Sequence, residues 1–493
     1  MAQARSIDAR SALATARVQV IAPAHLGATA VAALRARGID ARIADAPIDL
    51  RAGRAANDAR SDRLVAALGD DVIAWALDDA PGAALAVELA VVCAHAAGTG
   101  RPVCLLAPPP RGSGRPAVER AAALAYLRAH GAAVGHDVDA WLEAVVLLVR
   151  LGLPGGPRAA VIAPPGSWLE AQAVAIGAEA ELGGVRSPLS APDDPTDVVL
   201  YDPALGPPPS STPGLHVPLA ARGELADAGA LLYGARSALG AIRVLGIAAE
   251  RIAVGLGPAP AAASAELAID RDRLERQLTK LGSDQRRLGD HETKVILAAY
   301  GVPITRQAVA TTPSAAVKLA RRAGYPVEIK PFGHDLPSEP AGCPVERNLT
   351  SDANVRAAFT TVLVAAGRVP NDGTGVIIRE TPPAGRELSV SFFQLPSLGW
   401  TVVLDSPGGG GPIAAAPAPL RLIDAQALAS QVAASRAGDP DPDRSGLANL
   451  LRRASHLAVD LGDRLLRLDL PRVIVGGRGA RTLVVDASCE LTS

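Results

Sequence analysis

A lysine on a short apolar run and two glycine-rich stretches are the residues of this chain whose types suit chemistry on a phosphate. Lys330 closes the run GYPVEIK, which either aims an ammonium at an anion or leaves a solvated charge on a strand edge. RGSGR, with Arg111 and Arg115, either gathers backbone amides into an anion-binding nest or is a plain loop. The tetraglycine Gly408 to Gly411, with Gly409 and Gly410 at its centre, either cradles phosphate or serves as a flexible loop. The four cysteines, Cys93, Cys104, Cys343 and Cys489, have neither paired nor metal-type spacing, so a disulfide framework or a zinc site is not expected.

The elements that must position Lys330 are legible around it. A helix over Asp290 to Tyr300 stops at Gly301, a glycine free to take the left-handed C-terminal position, and Pro303 follows, where a strand is expected to begin. Thr312 or Ser314 then caps a helix over Ala315 to Ala323 that Gly324 ends, and Tyr325 to Lys330 returns as a strand.

With 493 residues, 49% of them hydrophobic and 20% charged, the chain is long enough for several domains with ample cores. A formal net charge of -1 gives no electrostatic case for nucleic acid or for an anionic membrane, so any phosphate binding must be local. The N-terminal arginines are followed by no apolar core of signal-peptide length, and no run approaches a membrane span, so a cytoplasmic location is expected.

In chain order, a tail over 1–17 precedes a repeated grammar of strand, turn and helix. Val18 to Ala22 reads as a strand, Pro23 to Gly27 as a turn and Ala28 to Arg37 as a helix. Asp71 to Leu77 and Pro102 to Leu106 read as buried parallel strands, with helices over Gly82 to Ala97, Ala117 to His130 and Val138 to Leu151. The grammar restarts at Ala159 to Ala163, adds a strand at Val198 to Tyr201 and a helix at Ala235 to Leu245, and closes near Gly255. The expected fold class is α/β, with two flavodoxin-like doubly wound domains over 18–154 and 155–255. A small-residue and proline linker over 256–268 then tethers a third domain over 269–493.

The stretch LGDHETKVILAAYGVPIT resembles the opening of the ATP-grasp domain of the NDP-forming acyl-CoA synthetases (acetate–CoA ligases, ADP-forming), relatives of succinyl-CoA synthetase. Glu292, Lys294, Tyr300, Gly301 and Pro303 stand at the places of that family's Glu-Ser-Lys and Tyr-Gly-Ile-Pro. The resemblance extends backward through GALLYGARSALGAIRVL and RPVCLL, and it implies two succinyl-CoA-synthetase-like domains ahead of an α+β ATP-grasp domain. It further implies ATP and magnesium as cofactors, an acid–thiol ligase activity, and Lys330 directed at the ATP phosphates. VIIRE resembles the adenine hinge, with Glu380 matched and Arg379 in place of the usual Gln. GRELSV matches Gly-x-Glu-Leu-x-Val at Glu387, either facing the cleft or simply a strand-edge carboxylate. Gly409 and Gly410 fall in a region that is glycine-rich in the family, and Asp486 stands in its Val-Asp-Ala, implying a metal ligand.

Other positions depart from the family. No histidine follows RPVCLL where the phosphate-carrying imidazole is expected; His25, His130 and His136 lie elsewhere and read as ordinary surface or helix-end residues. The loop HDLPSEPAGC lacks the His-Lys pair, though His334 and Asp335 offer a substitute, and Pro471 replaces the metal-binding Asn with a residue that has no side-chain donor or acceptor. PAHLG after the first strand supplies a single glycine, too little for a pyrophosphate fingerprint, so the family's CoA-binding domain has no counterpart in this reading. The chain is therefore expected to be a catalytically degenerate nucleotide-binding protein. The alternative is an active ligase working with a partner subunit that supplies CoA binding and the histidine.

Overall fold

Apolar runs too short for helices become the strands of parallel sheets in the N-terminal part of the chain. The computed structural model describes residues 17–44, 71–178, 196–208, 212, 214–220, 231–279, 286–333, 336, 342–369, 374–406, 412–432, 441–477 and 479–492. Two compact units emerge, one holding residues 1–110 and 123–257 and the other residues 111–122 and 258–493.

In the N-terminal part of the chain, β1 (Val18–Ile21), α1 (Ala24–Ala36), β2 (Ala41–Ile43), β3 (Val72–Ala76), α2 (Ala83–Gly98), β4 (Cys104–Leu106), α3 (Gly114–Ala129, its residues 114–122 counted with the second unit), β5 (Ala133–Gly135) and α4 (Val138–Leu151) follow one another. Their strands form a parallel sheet in the order β2-β1-β3-β4-β5. Strands β1 and β3 are buried along their whole length, as central parallel strands covered on both faces must be. A second parallel sheet, in the order β6-β7-β8-β9, is built from β6 (Ala159–Ile162), α5 (Trp168–Ala178), β7 (Val198–Tyr201), β8 (Leu215–Ala220), β9 (Leu232–Tyr233) and α6 (Ala235–Val254).

One buried apolar cluster runs through both sheets, from Val18 and Ala74 to Val198 and Val217, with α4 and α6 packed on each other between them. Small residues make that approach possible. A Cβ on Gly240 would lie 2.9 Å from the Ala140 Cβ, and one on Gly246 would lie 2.3 Å from the Pro157 nitrogen. Arg37 is tied into the same unit by a two-pronged ion pair with buried Glu143, at 2.7 and 2.9 Å.

Two local expectations need correction here. Residues Pro23 to Gly27 are not a turn: α1 begins at Ala24, so His25 sits exposed in the first helical turn. The strands β2, β5, β8 and β9 fall outside the expected set: β2, β5 and β9 are only two or three residues long, and His216 and Pro218 interrupt the apolar run of β8.

The second unit holds α7 (Arg271–Thr279), β10 (Arg287–Leu288), α8 (Asp290–Ala299), β11 (Gln307–Ala310), α9 (Pro313–Ala323), β12 (Val327–Phe332), β13 (Glu346–Leu349), α10 (Asp352–Ala365), β14 (Gly375–Glu380), β15 (Arg386–Leu395), β16 (Gly399–Asp405), β17 (Pro412–Pro417), α11 (Leu422–Ser430), α12 (Arg444–Leu461), β18 (Leu465–Val475) and β19 (Leu483–Leu491). A four-stranded antiparallel sheet, β11-β14-β12-β13, carries α9 and α10 on a core that includes Ala316, Val327, Phe359 and Ile378. A six-stranded antiparallel sheet, β10-β19-β18-β15-β16-β17, makes the other layer.

The expected caps form. Thr312 accepts from the Ala315 N–H with Pro313 in the first turn, and Gly301 takes φ +68° after α8. The expected linker does not hang free: Ala259 N–H donates to the Pro419 carbonyl, and Arg452 reaches Glu266 at 2.8 Å. Among the described residues no helix is long and apolar enough to cross a membrane.

Candidate functional site

Lys330 lies inside β12 rather than at its end, opposite Ile377 of β14, and the strand continues through Pro331 and Phe332. Proline is tolerated there because the pairing of β12 with β13 stops at Ile329, leaving no ladder bond on that side for a proline nitrogen to break. The lysine is 3% exposed. Its ammonium donates to Asp486 Oδ1 at 2.6 Å and pairs with Asp290 Oδ2 at 3.0 Å.

Lys330 and Asp486 thus come together as the resemblance implies, but as partners of each other across the two sheets. Asp290, in the first turn of α8, links them to a second lysine. Lys294, one helical turn on and 1% exposed, contacts Asp290 at 3.1 and 3.2 Å and donates to Thr305 Oγ1 at 2.9 Å, Gln307 Oε1 at 2.8 Å and the Val485 carbonyl at 2.6 Å. The Ala487 N–H donates to Asp290 Oδ1 at 2.9 Å, so both oxygens of that carboxylate are used. Four buried charges, two lysines and two aspartates, sum to zero.

Electrostatics follow from that packing. Burial opposes the charge on Asp290, but Lys294, Lys330 and Arg379 outweigh it and hold the carboxyl well below the usual carboxylate range. Burial and the neighbouring cations push the Lys294 ammonium down to about 8, against the pull of Asp290 and Asp486.

A small cavity, open to solvent, is lined by Arg287, Asp290, Glu292, Lys330, Asp486 and Ser488 among others. Glu292 Oε2 is buried with no hydrogen-bond partner. Glu380 and Glu387 do not line this cavity. Glu380 accepts from Arg306 through its backbone N–H at 3.0 Å and its Nε at 2.8 Å, and from Arg481 at 3.1 Å. Those hydrogen bonds and the charge of Arg481 keep it ionised against its own burial. Glu387 on β15 pairs with Arg472 on β18 at 2.9 Å. Gly409, Gly410, His334 and Asp335 lie outside the described residues.

Asp290 is the participant that sequence reasoning missed. Its signal was present in DHETK, where an acid stands four residues before a lysine at the start of a helix. The histidines have structural partners instead: His130 Nδ1 lies 2.8 Å from the Tyr126 carbonyl and His136 Nδ1 lies 2.7 Å from that of Ala107. Burial lowers the pKa of both. Cys93, Cys104 and Cys489 are free and buried, and burial pushes each thiol up to about 12.

Two layers of antiparallel sheet with a buried lysine and aspartate bridging them fit one class of domain. Residues 279–491 match the family model described as ATP-grasp domain. This part of the chain is an ATP-grasp domain similar to the β subunits of ADP-forming acetate–CoA ligases. Over 212 residues it is 26% identical to the β subunit of the Pyrococcus furiosus acetate–CoA ligase [ADP-forming] II, covering 40% of this chain and 89% of that one. It is 28% identical to the 4-hydroxybutyrate–CoA ligase [ADP-forming] of Nitrosopumilus maritimus, covering 40% of this chain but only 30% of that protein. Among solved structures, the Ca. Korarchaeum cryptofilum acetyl-coenzyme A synthetase 1 in complex with coenzyme A and Ca-AMPCP is 26% identical, covering 45% of this chain and 100% of that chain, with a TM-score of 0.39.

Proposed function

We propose that the chain is a nucleotide-binding ATP-grasp protein derived from the NDP-forming acyl-CoA synthetases and catalytically degenerate. One observation carries the reading: the ionic side chains that the resemblance directs at nucleotide and metal are already paired within the protein. Lys330 is held by Asp486 and Asp290, Glu380 by Arg306 and Arg481, and Glu387 by Arg472. A ligand must compete with those pairs, so binding is expected to be weak. With Pro471 at the Asn position and Asp486 on Lys330, the residues do not fit magnesium, the second cofactor that the resemblance implies.

The reading includes two flavodoxin-like, succinyl-CoA-synthetase-like domains over 18–154 and 155–255, a connecting segment over 256–268 and the ATP-grasp domain over 269–493. The strand order β2-β1-β3-β4-β5 supports the first of these. It also carries a cytoplasmic location. The alternative, an active acid–thiol ligase, draws on the relatives being named β subunits, which implies a partner subunit able to supply CoA binding and a phosphohistidine.

Titration calorimetry of the whole chain with ADP and ATP tests the proposal. Binding weaker than micromolar, with no acyl-CoA formed from ATP, acid and CoA, is expected. Micromolar or tighter ATP binding accompanied by turnover with an added CoA-binding subunit would establish the ligase instead.

A further inference from the structure

We propose that Lys330, held in place by Asp290 and through it by Lys294, takes the place of a divalent cation in the cleft, so that nucleotide binds without a metal. The proposal rests on the nucleotide reading above and goes beyond it in naming what neutralises the site. A divalent cation needs carboxylate oxygens that are free to approach it, usually from several ligands at once. Here Asp486 gives Oδ1 to the Lys330 ammonium at 2.6 Å. Asp290 gives both oxygens, one shared between Lys294 and the Ala487 N–H and the other between the two lysines. Glu292, the third carboxylate on the cavity, does not complete a set: among the described residues no group of three or more His, Cys, Asp or Glu is placed to hold a metal ion.

The charge balance points the same way. The two lysines match the two aspartates they contact, and an ion at Asp486 would have to sit beside the Lys330 ammonium, 2.6 Å from Oδ1. Lys294 is not an incidental neighbour, because its four partners come from α8, from the Thr305–Gln307 stretch and from the Val485 backbone. That framework fixes Asp290, and Asp290 in turn fixes Lys330 at the cavity wall.

The test uses the full chain in two arms. In the first, manganese alone is titrated and followed by electron paramagnetic resonance. The wild type is expected to show no manganese site that depends on Asp486. Manganese binding to the wild type that Asp486→Asn abolishes overturns the proposal. In the second arm, ADP is titrated calorimetrically with magnesium and with EDTA. Affinities within about twofold are expected, and a loss of about tenfold or more in EDTA overturns the proposal. If ADP binds in neither buffer, the nucleotide reading falls and the manganese arm alone decides the cation assignment.

Discussion

Glu328 and Arg379 stand directly opposite each other on β12 and β14, and Arg379 donates to Glu328 Oε2 through Nε at 2.9 Å and through a terminal nitrogen at 2.5 Å. Both side chains are nearly sealed from solvent, at 4% and 1% exposure. Arg379 also reaches the Val485 carbonyl at 3.1 Å, so the residue that departs from the family's hinge pattern ties the smaller sheet to β19.

The pair should behave as a buried ion pair does. Arg379→Gln, which puts in the residue usual in the family, leaves Glu328 with only the half-exposed Arg347 at 3.9 Å and is expected to cost about 3–5 kcal/mol. Urea unfolding of the purified variant measures this. Glu328→Gln combined with Arg379→Gln should recover a large part of the loss, since no uncompensated charge is then left in the sheet. A double variant as unstable as Arg379→Gln alone would show that the arginine acts through Val485 and not through the glutamate.

Much of the fold was readable because buried parallel strands are short, apolar and separated by helices: β7 and α4 fall on the residues expected of them. The short strands β2, β5 and β9, and β8 with His216 and Pro218 inside it, were not readable, because partner strands and not their own composition make them strands. At the site, Lys330 and Asp486 could be found through a resemblance, one residue at a time. Their pairing could not, because they are 156 residues apart in sequence. Nothing in local sequence tells whether a carboxylate meets a ligand or a lysine. Asp290 was hidden for a related reason: in a helix's first turn an acid has an ordinary reason to be there, the favourable interaction with the helix dipole.

Close packing inside the first unit gives a prediction independent of any ligand. At Gly246 an added methyl would meet backbone, at 2.3 Å from the Pro157 nitrogen and 2.4 Å from the Gly156 carbonyl carbon, and backbone cannot swing aside. Gly246→Ala is expected to destabilise by about 1–3 kcal/mol or more, despite alanine's better helix propensity. Gly98→Ala, at the end of α2 with nothing within 4 Å, serves as the control and should be neutral or slightly stabilising. Equal denaturant midpoints for the two variants would contradict the packing of α6 on that turn.

Phosphoryl transfer through the chain is expected to be absent. His130 and His136 each use Nδ1 on a backbone carbonyl, and His136 Nε2 also faces Arg128 at 3.0 Å. Incubation with labelled ATP and magnesium, followed by base-stable, acid-labile label analysis, should give no phosphohistidine. Label mapped to His25, His130 or His136 would revive the ligase reading.

The last prediction concerns pH and Lys294. In the folded protein its ammonium gives up a proton near about 8, whereas in the unfolded chain it keeps that proton until about 10.5. Between those values the unfolded state binds more protons, so this group makes unfolding harder as pH rises. The burial cost is present in full below pH 8 and is relieved across the window, at roughly 1.4 kcal/mol for each unit separating the two pKa values. Asp290 runs the other way: its lowered pKa contributes stability present above about 3.8 that is lost only in strong acid, so it does not interfere in the window. Lys294→Met removes the titration together with the hydrogen bonds to Asp290, Thr305, Gln307 and Val485. It should therefore be less stable than wild type at pH 7, and the gap should widen between pH 8 and pH 10. Comparing the two proteins cancels the titrations that they share. Urea unfolding at several pH values measures the difference, and a gap that stays constant or narrows on going to pH 10 would show that Lys294 does not titrate in that window.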